Sequence, residues 1–124
     1  MTEPLALVLY EKLLPGSQLV NRLQDLRYRV QALNDADRLV ECAEQAKPLV
    51  IVADLDSTRN NVCAAISRLR ANPATRHLPV IGFCRESTPE LPEAGRAAGV
   101  SLLTTDTAIL NHLPQLLEQA LAVE

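Results

Sequence analysis

Residues 47–56 read Lys-Pro-Leu-Val-Ile-Val-Ala-Asp-Leu-Asp. The run 49–53 is wholly apolar and holds three β-branched residues, Val50, Ile51 and Val52. It stops abruptly at Asp54. A short run of this kind, with no polar residue at every second place, fits a strand covered on both faces, which means a central strand of a parallel sheet. Such a sheet needs helices on both sides, and that requirement fixes the class of fold more tightly than any other feature of the chain. It also makes the end of the strand informative, because open α/β sheets bind their ligands at the carboxyl ends of their strands. Asp54 and Asp56 are therefore candidate site residues; they could equally do no more than end the strand and cap the helix that follows.

The rest of the chain supplies the partners. Residues 5–10 (LALVLY) form a first strand. Ser17 caps a helix with Val20, Leu23 and Leu26 at helical spacing. Residues 29–33 (RVQAL) alternate as a short second strand. Asp35 caps a second helix with Ala36, Leu39, Val40 and Ala43 on one face. A third helix turns Val62, Ala65, Ile66 and Leu69 inward and ends at Asn72-Pro73. Residues 79–84 (PVIGFC) are strand four. Residues 89–98 make a weak fourth helix, because Pro89, Pro92 and Gly95 lower its propensity, and Gly99 suits its C′ position. Residues 101–105 are strand five. Asn111 caps a last helix with Pro114 in its first turn. Alternating units of roughly 25 residues predict a single domain over 1–124: a doubly wound, five-stranded parallel sheet of order 2-1-3-4-5, flavodoxin-like.

Composition excludes several classes of function. Net charge is −3 and only Tyr10, Tyr28 and Phe83 are aromatic, so neither an electrostatic nor a stacking surface for nucleic acid is expected. No stretch approaches ~18 apolar residues, so no membrane span is expected, and the N-terminus lacks the pattern of a secretory signal. Cys42, Cys63 and Cys84 show no CxxC spacing. They suit reduced thiols and a cytoplasmic setting. The turn after strand one, residues 11–16 (EKLLPG), has one glycine, which argues against dinucleotide and P-loop phosphate binding. His77 and His112 stand apart from any Cys/His cluster and are expected on the surface.

With these units placed, the chain resembles the receiver domain of two-component response regulators. Residues 48–54 (PLVIVAD) resemble the family's third strand with its phospho-accepting aspartate. Residues 69–81 (LRANPATRHLPVI) resemble the link from third helix to fourth strand, and residues 94–100 (AGRAAGV) the approach to strand five. The resemblance implies a set of parts around Asp54. An acidic pair after strand one would hold Mg²⁺, which wants oxygen ligands in near-octahedral geometry. A hydroxyl ending strand four and a lysine ending strand five would stabilise the phosphoryl oxygens. Here the acidic pair falls on Tyr10 and Glu11, or on Leu9 and Tyr10 if the register slips by one, the hydroxyl on Cys84 and the lysine on Asp106. The Pro and Gly that shape the loop after the acceptor fall on Thr58 and Val62. Asp106 reverses the sign of the charge: at ~5 Å and an effective dielectric of ~20, one pair of unit charges interacts by roughly 3 kcal/mol.

The expectation is a degenerate receiver, or pseudo-receiver: a non-enzymatic signalling module that acts through protein contacts without phosphotransfer and needs no cofactor. One alternative is a functional receiver phosphorylated on Asp54 with Mg²⁺ in a phosphorelay. Another, from a different class, is a metal-dependent enzyme on the same acidic rim, disfavoured because no base, nucleophile and oxyanion-donor set is visible. Asp54, Asp56 and Glu11 are the candidate metal ligands, with Asp106 nearby; without a cation, carboxylates so placed would repel and raise one pKa. Cys84 reads as a small buried hydrophobe and not as a reactive thiol. For a partner or self-association, the expected face is the fourth helix, strand five and last helix. There Leu113, Leu117 and Leu121 form one stripe, widened by Leu116, Ala120 and Val123 to an apolar arc of roughly 160°. Leu116 and Val123 edge that arc and are the interface candidates. No Lys or Arg follows Arg96, so contact there would be mainly apolar.

Overall fold

The computed structural model describes residues 4–10, 13–33, 35–55, 62–84 and 90–122, with side chains described except at 13–16, 90–92, 94, 106 and 121–122. Five parallel strands, β1 (Leu5–Leu9), β2 (Arg29–Leu33), β3 (Val50–Asp54), β4 (Val80–Cys84) and β5 (Leu102–Thr105), form one sheet of order β2-β1-β3-β4-β5. The described helices are α1 (Leu13–Asp25), α2 (Leu39–Ala46), α3 (Val62–Ala71), α4 (Glu90–Ala98), α5 (Asp106–Asn111) and α6 (Leu113–Ala122), with a 3-10 turn at Ala36–Arg38 before α2. The predicted order and class are those observed.

The strand period of two sorts the core into two layers. Leu7, Leu9, Ile51, Ala53, Val80 and Cys84 face α2, α3 and the end of α4, meeting Leu39, Ala43, Val62, Ala65, Ile66, Leu69 and Ala98. Ala6, Val8, Val50, Val52, Ile81 and Phe83 face α1, α5 and α6, meeting Leu19, Leu23, Ile109, Leu113, Leu117 and Ala120. Every residue of β3 and β4 is buried, whereas the edge strands β2 and β5 are only partly covered. Each of the largest side chains, such as Phe83, Ile51 and Ile81, is removed from water and contributes about 1.5–3 kcal/mol.

Several element boundaries differ from expectation. α1 begins at Leu13, so Ser17 lies inside it; Pro15 falls in the first turn, where no N–H is needed. Its inward stripe is Leu19 and Leu23, while Leu26 is 37% exposed just past its end. Asp35 caps the 3-10 turn by accepting from the Asp37 amide at 3.0 Å, and α2 proper starts at Leu39. The last helix is preceded by a separate one. α5 starts immediately after β5, and Asn111 ends it instead of capping its successor. Pro114 accounts for the break: it cannot donate to Leu110 and its ring crowds that carbonyl. His112, between the two, is bent to φ −124°, yet its amide still donates to Ala108 and its carbonyl still accepts from Leu116.

The weak fourth helix has a packing reason for its glycine. A Cβ on Gly95 would lie 3.0 Å from both Leu55 Cδ1 and Leu103 Cδ2, and one on Gly82 of β4 would lie 3.1 Å from Leu55 Cδ1. Both glycines make room for Leu55, so α4 lies close against the sheet just beyond Asp54. The helix ends in a Schellman motif: Gly99, at φ +112°, donates to Arg96, and Val100 donates to Gly95.

Candidate functional site

The rim at the carboxyl ends of β1, β3, β4 and β5 carries the predicted site positions. Asp54 is the last residue of β3, paired in register with Phe83, and is 3% exposed. The ladder continues past it, because the Leu55 amide donates to the Phe83 carbonyl at 2.9 Å. Asp54 thus stands buried at the end of the central strand, where the sequence places it.

The neighbouring positions have other duties. Tyr10 follows β1, its amide donating to Leu33 at 2.9 Å, and its half-buried ring packs against the core on the α1, α5 and α6 side. Cys84 ends β4, is 3% exposed and belongs to the opposite layer, with α2 and α3. Alternation along the strands puts Asp54 on the face of its partner Phe83, and Cys84 on the other face. Cys84 therefore behaves as a small core residue, as expected from sequence.

The end of β5 was the least legible part. Thr105, the register partner of Cys84, is the N-cap of α5: its Oγ1 accepts from the Ala108 amide at 3.1 Å. Asp106 is then the first residue of that helix. The residue standing where the resemblance implies lysine thus opens a helix. The sequence carries a signal for this cap, a threonine ahead of Asp106 at the end of a strand, which is a common N-cap pattern.

Glu11, Asp56 and Thr58 lie outside the described residues, as does the Asp106 side chain. Val62, where the family's loop glycine would fall, opens α3 and is buried in the core. Among the described residues no group of three or more His, Cys, Asp or Glu is placed to hold a metal ion. They provide one rim carboxylate, Asp54, for a Mg²⁺ ion, short of the paired acids the resemblance implies.

The cysteines form no disulfide, and burial pushes the Cys63 thiol above its ordinary value, away from reactivity. His77 and His112 are exposed. Leu116 is half-buried and packs against the core beside Leu113 and Leu117, so the fold as well as any partner would feel a charge there. Val123 lies outside the described residues. No described helix is long and apolar enough to cross a membrane.

No protein-family model and no curated protein matches the sequence. Solved structures do. A candidate response regulator from Chloroflexus aurantiacus superposes with a TM-score of 0.89 at 16% identity, covering 98% of this chain and 99% of that one. The receiver domain of the Pseudomonas aeruginosa sensor histidine kinase PA1611, which has a magnesium ion coordinated in its active-site cleft, gives 0.87 at 19% identity, covering 98% and 99%. The Vibrio cholerae chemotaxis response regulator CheY4 gives 0.77 at 19% identity, covering 93% and 99%. At these identities the likeness is one of architecture, and the chain has the fold of response-regulator receiver domains.

Proposed function

We propose that the chain is a pseudo-receiver: a module of two-component signalling that works through protein contacts and not through phosphotransfer. The observation that carries this reading is the reassignment of the rim. Tyr10 packs a ring, Cys84 fills a core layer, Thr105 caps a helix and Asp106 opens it. Phosphoryl transfer to an aspartate depends on groups that offset charge on the transferred group. Where the resemblance implies acids, a hydroxyl and a lysine, Tyr10, Cys84 and Asp106 offer a phenol, a thiol and an acid. The module turns over no substrate; its output lies in the surface of α4, β5 and α6, taken by a protein partner or a second copy of the chain.

The second reading is a receiver that accepts phosphate on Asp54 with Mg²⁺. Asp54 at the end of the central strand favours it, as does the magnesium in the cleft of the Pseudomonas receiver domain. Intact mass after incubation with acetyl phosphate and Mg²⁺ separates the two. The pseudo-receiver keeps its mass. A stoichiometric gain of one phosphoryl group, absent in Asp54→Asn, establishes the second reading.

A further inference from the structure

Arg70 is the penultimate residue of α3, half-buried at the opposite end of the sheet from Asp54. Its guanidinium is spread over three segments. Nε donates to the Gly99 carbonyl at 2.7 Å, at the end of α4. One terminal nitrogen donates to the Arg76 and Leu78 carbonyls at 2.6 and 2.7 Å, in the link to β4. The other donates to Ser101 Oγ at 2.9 Å, at the start of β5. Ser101 Oγ also accepts from the Val80 amide at 3.2 Å, which ties in the first residue of β4. The stem lies flat on Gly99, where a Cβ would come within 2.6 Å of Arg70 Cγ. All four acceptors are neutral, so this is not an ion pair. It uses the fork geometry that distinguishes arginine from lysine.

What this clasp holds is one edge of the sheet. β5 is a four-residue edge strand with every residue only half-buried. α4 carries Pro92 and Gly95 within it and lies against the sheet around Leu55, Leu103 and Val100. Elements with few fully buried contacts open locally at lower free energy than the core. We propose that Arg70 is a latch that holds α4 and β5 closed on the rest of the domain, and that this edge opens as one unit when the latch is released. The latch sets how readily the edge can rearrange. Its bearing on partner binding rests on the reading of that face given above, but the opening itself does not depend on whether Asp54 accepts phosphate.

Hydrogen exchange followed by mass spectrometry tests the latch on wild type, Arg70→Met, Arg70→Lys and Ser101→Ala. The latch predicts that amides from Gly99 through β5 exchange about tenfold or more faster in Arg70→Met, with smaller increases in Arg70→Lys and Ser101→Ala, while amides of β1 and β3 change by less than about twofold. Arg70→Lys keeps the charge and loses the fork, so an effect there marks geometry and not charge. Equal acceleration across all strands would show a residue that only adds global stability, and unchanged exchange at β5 would show no latch; either overturns the proposal. If Arg70→Met does not fold, the two milder variants decide by the same comparison between β5 and β3.

Discussion

Gly99 shows how much one residue can be asked to do. Its φ of +112° is open only to glycine at low cost, and the Arg70 stem fills the space a Cβ would take. Gly99→Ala should destabilise the domain by about 1–3 kcal/mol, read as a shift of the denaturation midpoint. Its role as a helix end was legible because glycine announces it. Arg27 and Lys47 end α1 and α2 at positive φ too, 71° and 50°, and nothing in their chemistry gives that away. Arg70 was equally silent, because its acceptors lie in segments that only the fold brings together. Two further residues respond to pH. Burial raises the Tyr28 phenol above its ordinary 10.0 and the Cys63 thiol above 9.0. In both, the folded state favours the protonated form, so the stability they add is present below those values and is lost as pH rises past them. Denaturation midpoints should fall above about pH 9, and Tyr28→Phe should make the upper part of that fall shallower.

Among the elements, those with strong periodicity were legible and those set by local capping were not. The inward residues of α3, Val62, Ala65, Ile66 and Leu69, are all buried as their spacing predicts. α5 was missed because six residues are too few for a clear period; it exists through the Thr105 cap and through Ile109, which is fully buried. Thr105→Ala should therefore cost about 1 kcal/mol, while Thr105→Ser or Thr105→Asp keeps most of the stability. An unchanged midpoint in Thr105→Ala would mean that α5 is held by the packing of Ile109 and Leu110. α4 teaches the converse lesson. Gly95 reads as a weakness in sequence, yet the structure uses its missing side chain to seat Leu55 and Leu103. Gly95→Ala gains helix propensity but forces those leucines to move, so it should not stabilise the domain as it would an exposed helix.

At the scale of the whole molecule, class, strand order and the buried character of β3 were readable, because a two-sided sheet leaves its mark on every strand. The frame around Asp54 was readable for the same reason. What the rim residues do was only half so: the burial of Cys84 is expected from its type, whereas the packing of Tyr10 and the helix that begins at Asp106 emerge only in three dimensions. The proposed loss of phosphotransfer from this receiver fold rests on Tyr10, Cys84 and Asp106. The direct test is intact mass after acetyl phosphate and Mg²⁺, measured side by side on wild type, Asp54→Asn and the combined variant Tyr10→Asp, Cys84→Thr, Asp106→Lys. No phosphoryl gain is expected in wild type or Asp54→Asn. A gain is expected in the combined variant, provided this still folds with a lysine at the start of α5, a placement that costs about 0.3–1 kcal/mol against the helix dipole. A wild-type chain that gains one phosphoryl group, lost in Asp54→Asn, would contradict the proposed loss.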